Sequence, residues 1–377
     1  MQTQKLLVAS ENYEELDQYL IQTNTKRIFL VCGNFMPYLR NYWYFRSLKE
    51  RQNICVTEFS DFSSNPQYES VVQGVKLFKE SYCDLIVAVG GGSAMDVAKC
   101  IKLFSNMDSN INFLEQEVVP NNIRLLAIPT TAGTGSEATK FAVIYYNGEK
   151  QSITDESCIP SAVLMDYRLI ESLPIYQRKS TMLDALSHAV ESYWSVNSTA
   201  ESKNYSMQAI QIILSNKKEY LDNKDIGNKN MLRASYFAGK AINITQTTAG
   251  HAMCYKLTSL YGLAHGHAAA MCVLKLWPYM LENIDSCIDY RGKDYLALTF
   301  DELAKIFNCT DAISGAERFG EIFRGLELHI PKVYEGDYLI LKASVNSVRL
   351  KNNPIWLDED AIDYLYHQIL EGAKDEH

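Results

Sequence analysis

The sequence predicts an α/β domain with a parallel sheet at residues 1–170, followed by an all-α domain at residues 171–377. In the first half, short apolar runs alternate with helical patterns, which is typical of βαβ units whose sheet is covered on both faces. From about Pro174 onwards the patterns are long and helical, and few strand-like segments interrupt them. We therefore place the domain boundary between Asp166 and Pro174.

Each predicted element rests on a local pattern. Short apolar runs predict five strands, at residues 27–32, 53–59, 84–89, 123–128 and 161–166. Apolar residues at helical spacing predict a helix of the first domain at residues 68–82. The same spacing predicts helices of the second domain at residues 176–196, 200–215, 231–244, 257–282, 300–307 and 358–372.

The composition is that of an acidic globular protein. The 377 residues include 36 Lys plus Arg and 45 Asp plus Glu, which gives a net charge of −9. Because phosphates attract clusters of Lys and Arg, this balance argues against nucleic acid and against an anionic membrane as partners. The nine cysteines form no C-x-x-C pair, and the apolar run before Glu11 is too short for a signal peptide. We expect a cytoplasmic protein; a homo-oligomer is compatible with the sequence, although no residue pattern specifies one.

A glycine-rich turn follows the third predicted strand. Gly90, Gly91 and Gly92 precede Ser93, and the helix that they open contains Asp96. Glycines at such a turn let a phosphate approach the free N–H groups at the positive end of the helix dipole. A tight turn without a ligand is the alternative, but three consecutive glycines exceed what a turn needs, so we predict a phosphate site.

A second loop, residues 129–137, follows the next predicted strand. Thr130, Thr131 and Thr134 bring hydroxyl groups that can donate to phosphate or ribose oxygens. Taken alone, this loop is more typical of a simple Ser/Thr/Gly turn. Both loops follow the C-terminal ends of apolar runs, where open parallel sheets bind ligands, so together they predict a nucleotide-binding crevice.

Four residues of the second domain form a candidate metal-binding set. Asp184 and His188 are spaced i and i+4, which places both side chains on one face of a helix. His251 and His265 follow in a stretch with few charged residues. Three imidazoles and one carboxylate suit a divalent first-row metal such as Fe²⁺ or Zn²⁺. A surface helix pair and a hydrogen-bonded core histidine are the alternatives, and spacing alone leaves the two interpretations balanced.

As a set, and in this order, the motifs resemble those of the iron-containing alcohol dehydrogenases. The resemblance extends from the first strand to about Leu274. It implies a dinucleotide-binding N-terminal domain and a helical C-terminal domain, the architecture also found in dehydroquinate synthase-like enzymes. It implies one bound metal ion, Fe²⁺ or Zn²⁺, with the ligands Asp184, His188, His251 and His265. The residues implied to hold NAD or NADP are Gly90, Gly91, Gly92, Ser93, Asp96, Thr130, Thr131, Thr134 and Lys150.

Two positions depart from the pattern of that family. Many members carry a histidine four residues after the third ligand, where this chain has Tyr255, so we expect Tyr255 or solvent to deliver the proton to the product. Some members carry an acid after the first strand that disfavours a 2′-phosphate. Gly33 and Asn34 stand there in this chain, so we expect measurable use of NADPH.

Within the family, residues 238–251 and 259–267 look most like phosphonoacetaldehyde reductases. That likeness implies reduction of phosphonoacetaldehyde to 2-hydroxyethylphosphonate, a step of phosphonate metabolism. Lys240 lies in an apolar helical segment where a buried ammonium needs an anion, so we expect it to bind the phosphonate, with Lys256 as an alternative. A solvent-facing or structurally paired Lys240 is the competing interpretation. Rival functions are an alcohol dehydrogenase of neutral primary alcohols and aldehydes, a dehydroquinate synthase-like lyase, and a non-catalytic nucleotide- or metal-binding protein.

Overall fold

A computed structural model describes residues 4–345 and 350–371 of the chain. The chain divides into two compact units, Met1–Ser172 and Leu173–His377. Within the described residues, none of the helices combines the length and the apolar character that a membrane span requires.

The first unit is built on a six-stranded sheet. Its strands are β1 (Lys5–Val8), β2 (Arg27–Cys32), β3 (Cys55–Phe59), β4 (Leu85–Gly90), β5 (Arg124–Pro129) and β8 (Ala162–Met165), and a hairpin is formed by β6 (Phe141–Tyr146) and β7 (Glu149–Thr154). The order across the sheet is β1-β8-β5-β4-β2-β3, with every pair parallel. The helices of this unit are α1 (Glu14–Gln22), α2 (Tyr42–Gln52), α3 (Tyr68–Ser81) and α4 (Gly92–Phe104). The predicted α/β class with a parallel sheet is therefore confirmed.

The central strands position the two predicted loops. Strands β4 and β5 are adjacent, and their register pairs Gly90 with Pro129. Both strands are buried over almost their whole length, which is why each reads as a continuous apolar run. Because the strands are parallel, the turn after Gly90 and the loop after Pro129 leave the sheet side by side at the same edge.

The predicted strands agree with the observed ones to within two residues at each end. The sequence patterns missed β1 and the β6–β7 hairpin. β1 is a four-residue edge strand in which only Leu7 is buried. The hairpin strands are half-exposed, and β7 in particular contains no buried residue. Neither produces the apolar run by which the central strands were predicted.

The second unit consists mainly of helices joined by loops, as predicted. They are α5 (Ile175–Trp194), α6 (Ala200–Leu221), α7 (Asp225–Thr245), α8 (Ala249–Tyr261), α9 (His265–Glu282), α10 (Lys293–Ile306), α11 (Ala312–Arg324), α12 (Asp337–Ala343) and α13 (Glu359–Leu370). The predicted single helix over residues 257–282 is wrong. Gly262 adopts a left-handed backbone with φ of 68° and ends α8, and α9 begins three residues later at His265. His265 therefore lies at the start of a helix and not in its interior.

Candidate metal centre and nucleotide-binding loops

Helix α5 provides the first two predicted metal ligands. Asp184 and His188 are both buried, and His188 Nε2 lies 4.0 Å from Asp184 Oδ1. The i, i+4 spacing places both side chains on the same face, as predicted. A surface helix pair, the alternative interpretation, does not describe these two residues, because each side chain is less than one-tenth exposed.

His251 completes a compact group with these two residues. It is the third residue of α8, its ring stacks on that of His188 with 4.4 Å between centroids, and its Nε2 lies 3.5 Å from Asp184 Oδ1. One donor atom from each of Asp184, His188 and His251 can be chosen so that all three lie within 4.8 Å of one another. A buried carboxylate and two imidazoles at this spacing fit one divalent transition-metal ion.

His265 lies at the edge of this group. The centroid of its ring is 5.4 Å from that of His251. The ring of Tyr255 stacks on the His265 ring, also with 5.4 Å between centroids. Gly266 explains how α9 comes so near, since a Cβ there would lie 2.1 Å from Ser180 O and 2.5 Å from Asp184 Cβ. The close contact of α9 with α5 is therefore possible only because residue 266 has no side chain.

The electrostatics of the group favour a cation. Burial alone would raise the pKa of Asp184, but the nearby imidazoles, foremost His188, outweigh it and hold that pKa below its usual value. Burial would likewise lower the pKa of His251, but the carboxylates of Glu191 and Asp184 raise it to about 9. Ionised carboxylates thus attract positive charge to this buried position, either as a proton or as a metal ion.

Glu191 is a functional candidate that the sequence analysis missed. It is fully buried, and its carboxylate contacts the ring nitrogen Nδ1 of His251. Asp184, His188 and Glu191 are spaced i, i+4 and i+7 on α5, so they share one helix face. That third spacing is the sequence signal that places Glu191 on the face of the predicted ligands, whereas its contact with His251, 60 positions further along the chain, depends on the fold.

The glycine turn of the first unit lies directly against the second loop. Thr130 donates its backbone N–H to Gly90 O at 3.0 Å. A Cβ at Gly91 would lie 3.1 Å from Thr131 Cγ2, and one at Gly92 would lie 3.3 Å from Thr134 Cγ2. The structure thus brings together the predicted residues of both loops at the N-terminus of α4, whose first N–H groups are available to an anion.

Three further predicted cofactor residues lie near this turn. Ser93 and Asp96 belong to the first turns of α4, and Asp96 Oδ1 accepts a hydrogen bond from Ser136 Oγ at 3.1 Å. Burial raises the pKa of Asp96 to about 6, against the attraction of Lys99 and of Lys150 on β7. Lys150 is therefore near enough to Asp96 for its charge to act on that carboxylate, and it lies on the hairpin that the sequence analysis missed.

The predicted substrate cations are both half-buried. Lys240 on α7 places Nζ 5.7 Å from the ring centroid of Tyr205 on α6. In the part of the chain that the structure describes, no carboxylate oxygen lies within 4.0 Å of that ammonium group. Lys256 follows Tyr255 directly on α8. A structural ion pair, one of the competing interpretations of Lys240, is therefore not what the described residues provide.

Known proteins resemble both units. Residues 3–167 match the model of the iron-containing alcohol dehydrogenase family, and residues 179–315 match the C-terminal model of the same family. A phosphonoacetaldehyde reductase of Streptomyces viridochromogenes is 30% identical over 312 residues, which cover 79% of each chain.

Two solved structures share the fold over nearly the full length. The iron-containing alcohol dehydrogenase of Thermococcus thioreducens has a TM-score of 0.88 at 19% identity and covers 99% of both chains. A sulfoacetaldehyde reductase of Bifidobacterium kashiwanohense, solved in complex with NAD⁺, has a TM-score of 0.86 at 24% identity and covers 100% of this chain and 98% of its own. With family models matching most of both units, the chain is an oxidoreductase that belongs to the iron-containing alcohol dehydrogenase family.

Proposed function

We propose that this protein is a metal-dependent, NAD(P)-linked reductase of a small anionic aldehyde, and that this aldehyde is phosphonoacetaldehyde. The observation that carries the redox chemistry is the buried group of Asp184, His188 and His251, whose donor atoms fit one divalent ion. His265 is proposed as the fourth ligand because its ring adjoins that of His251. The product would be 2-hydroxyethylphosphonate, a primary alcohol.

When bound, a divalent metal would polarise the carbonyl group and a reduced nicotinamide would supply hydride to its carbon. The chain's own residues have three tasks. The four proposed ligands would hold the metal ion, and Asp184, His188 and His251 are buried, which keeps water away from that position. Tyr255, whose ring stacks on that of His265, or solvent is proposed as the donor of the proton to the product oxygen. The glycine turn and the hydroxyls of the second loop hold the pyrophosphate of the cofactor.

The preference for an anionic substrate rests on Lys240 and on the relatives. Lys240 is half-buried without a carboxylate within 4.0 Å among the described residues, so a phosphonate could take the position of its counter-ion. Phosphonoacetaldehyde, named for the relative at 30% identity, and sulfoacetaldehyde, named for one structure of the same fold, are both short aldehydes that end in a tetrahedral anion.

The test compares phosphonoacetaldehyde with propionaldehyde in the metal-loaded enzyme. Lys240→Gln should raise KM for phosphonoacetaldehyde tens- to more than a hundredfold, which corresponds to the loss of a charge-assisted contact of about 1.5 to 3 kcal/mol. The KM for propionaldehyde should stay nearly unchanged, because that substrate carries no charge. Lys217→Gln is the matched control, since Lys217 is a half-buried lysine of α6 whose ammonium group, among the described residues, bonds only to Leu214 O of its own helix. Lys256→Gln tests the alternative cation in the same way.

Three outcomes would contradict parts of the proposal. Equal losses on both aldehydes would make Lys240 structural. A wild-type enzyme that prefers propionaldehyde would replace the phosphonate substrate with neutral aldehydes and alcohols. A product formed without net oxidation of NADH or NADPH, followed by the absorbance of the reduced cofactor, would point to a dehydroquinate synthase-like lyase instead.

A further inference from the structure

The carboxylate of Glu191 divides its two oxygens between two different tasks. Oε1 accepts the backbone N–H of Thr248 at 3.1 Å, the backbone N–H of His251 at 3.2 Å and the Thr248 hydroxyl at 2.6 Å. Oε2 contacts only Nδ1 of the His251 ring among the described residues. Trp194 Nε1 in turn donates to Thr248 Oγ1 at 3.0 Å, which fixes the threonine hydroxyl so that its proton faces Glu191.

We propose that Glu191 is the positioning residue that holds His251 in the tautomer required for metal binding, with the proton on Nδ1 and the free electron pair on Nε2. A carboxylate oxygen can only accept, so Nδ1 must be the donor in this contact. In the neutral ring, the form that binds a metal ion, Nε2 is then the unprotonated nitrogen, and it is the atom that lies 3.5 Å from Asp184 Oδ1 within the metal-binding group. This inference rests on the proposed metal centre and names what orients one of its ligands.

A purely structural role for Glu191 would use Oε1 alone. Thr248 is the N-cap residue of α8 and His251 is its third residue, so Oε1 satisfies two N–H groups that the helix itself leaves without a partner. That task would be complete without any contact to the imidazole. The second oxygen aims at the one nitrogen of His251 that faces away from Asp184, which helix capping does not require.

The variant Glu191→Gln separates the two tasks. The side chains have nearly the same shape, so the amide oxygen can remain at the capping position and accept from the start of α8. The amide NH₂ group then faces His251, where an acceptor stood before. Nδ1 must give up its proton to accept this bond, which moves the proton to Nε2 and blocks the nitrogen that faces the metal position.

The experiment measures Zn²⁺ affinity by chelator competition at one fixed pH, using the full chain. Glu191→Gln should weaken Zn²⁺ binding by about 10- to 100-fold. Thr248→Val is the matched control, because it removes the hydroxyl donor to Oε1 and leaves the contact between Oε2 and His251 intact. It should lower the melting temperature while changing Zn²⁺ affinity by less than about threefold.

A second measurement reads the tautomer directly. Nitrogen-15 NMR of labelled histidines, with the His251 signals identified by their loss in His251→Gln, should show the proton on Nδ1 in the wild-type protein loaded with Zn²⁺. A proton on Nε2 would overturn the proposal even if Glu191→Gln did not fold. Unchanged Zn²⁺ affinity in a folded Glu191→Gln protein would also overturn it.

The failure of this inference is distinguishable from failure of the metal centre itself. If His188→Ala and Glu191→Gln both bind Zn²⁺ as the wild type does, the metal centre is wrong. If His188→Ala loses the ion and Glu191→Gln keeps it with unchanged affinity, the centre stands and Glu191 is only a helix cap.

Discussion

The two candidate sites of this protein differ in what forms them: one depends on backbone and empty space, the other on side chains. At the loops of the first unit, what matters is space: Gly91 and Gly92 face Thr131 and Thr134 with no side chain between them. At the metal centre of the second unit, what matters is a set of buried side chains, and each must point in one direction. The comparison teaches that a backbone site is lost by adding atoms, whereas a side-chain site is lost by removing them or by releasing what holds them.

The largest expected effect is the loss of the metal centre by His265→Ala. Removing a proposed ligand should strip the ion and lower turnover by about a thousandfold or more, since Lewis-acid stabilisation of several kcal/mol is lost. Metal analysis, turnover rates and NADH fluorescence titration measure the three quantities. Cofactor affinity should stay within a few-fold of the wild type.

Full metal occupancy in His265→Ala would remove His265 from the ligand set and leave Asp184, His188 and His251. A large loss of cofactor affinity in the same variant would break the comparison, because the two sites would then not be separable by substitution.

The reciprocal variant is Gly91→Val. The added side chain would press on Thr131, since even a Cβ there lies 3.1 Å from Thr131 Cγ2, and it would fill the space proposed for the pyrophosphate. Cofactor affinity should fall by about 10- to 150-fold, the loss of about 1.5 to 3 kcal/mol of charge-assisted hydrogen bonding. Metal content should not change. Gly91→Ala should lose less, and wild-type affinity in a folded Gly91→Val protein would show that the turn is only structural.

A smaller effect concerns stability near the second loop. Glu137 is buried, its Oε1 lacks a hydrogen-bond partner in the described structure, and burial raises its pKa to about 7 from an unfolded value near 4.5. Because the folded pKa is the higher one, the folded state binds more protons between these values, and its stability falls as pH rises through this window.

Glu137→Gln should therefore reduce the loss of folding stability as the pH rises. Urea unfolding at about pH 5 and pH 8 should show the wild type losing up to about 3 kcal/mol more than the variant between the two. Asp96 titrates in the same range in both proteins, so the difference between them isolates Glu137. Parallel pH profiles would mean that Glu137 is solvated in solution.

The smallest expected effect is on the choice of cofactor. With Gly33 in place of an acid, NADPH should be used within about a thousandfold of NADH, roughly 4 kcal/mol. Gly33→Asp should shift the ratio of the two kcat/KM values several-fold toward NADH, since a carboxylate repels a 2′-phosphate by about 1 kcal/mol or more. A Cβ at Gly33 would lie 2.4 Å from Phe35 Cε1, so that ring must also move. No shift in the ratio would place the 2′-phosphate elsewhere.

Continuous apolar runs predicted the central strands, which are buried on both faces, whereas β1 and the half-exposed hairpin gave no such run. A continuous apolar run predicted the strand that ends at Gly90. Half-exposed β7, which contains Lys150, has no such run. The break at Gly262 was missed because the apolar pattern continues across it, and only the backbone conformation separates α8 from α9.

The candidate sites follow the same logic. The predicted ligands Asp184 and His188 stood out because their i, i+4 spacing puts both on one helix face. Glu191 did not, because its partners Thr248 and His251 lie some 60 positions further along the chain and only folding brings them together. Nor could the sequence show what surrounds Lys240, since Tyr205 belongs to a different helix.

The close approach of α9 to α5 at Gly266 has a consequence for how the protein tolerates change. Any side chain there would push on Ser180 O and Asp184 Cβ at once, so Asp184 on α5 or the start of α9, which carries His265, would have to shift. An inventory of ligands alone would score Gly266→Ala as harmless. The stretch of sequence in which a single nucleotide change can disrupt the proposed metal centre is thus wider than its proposed ligands, and a variant at Gly266 can have the same effect as the loss of a histidine.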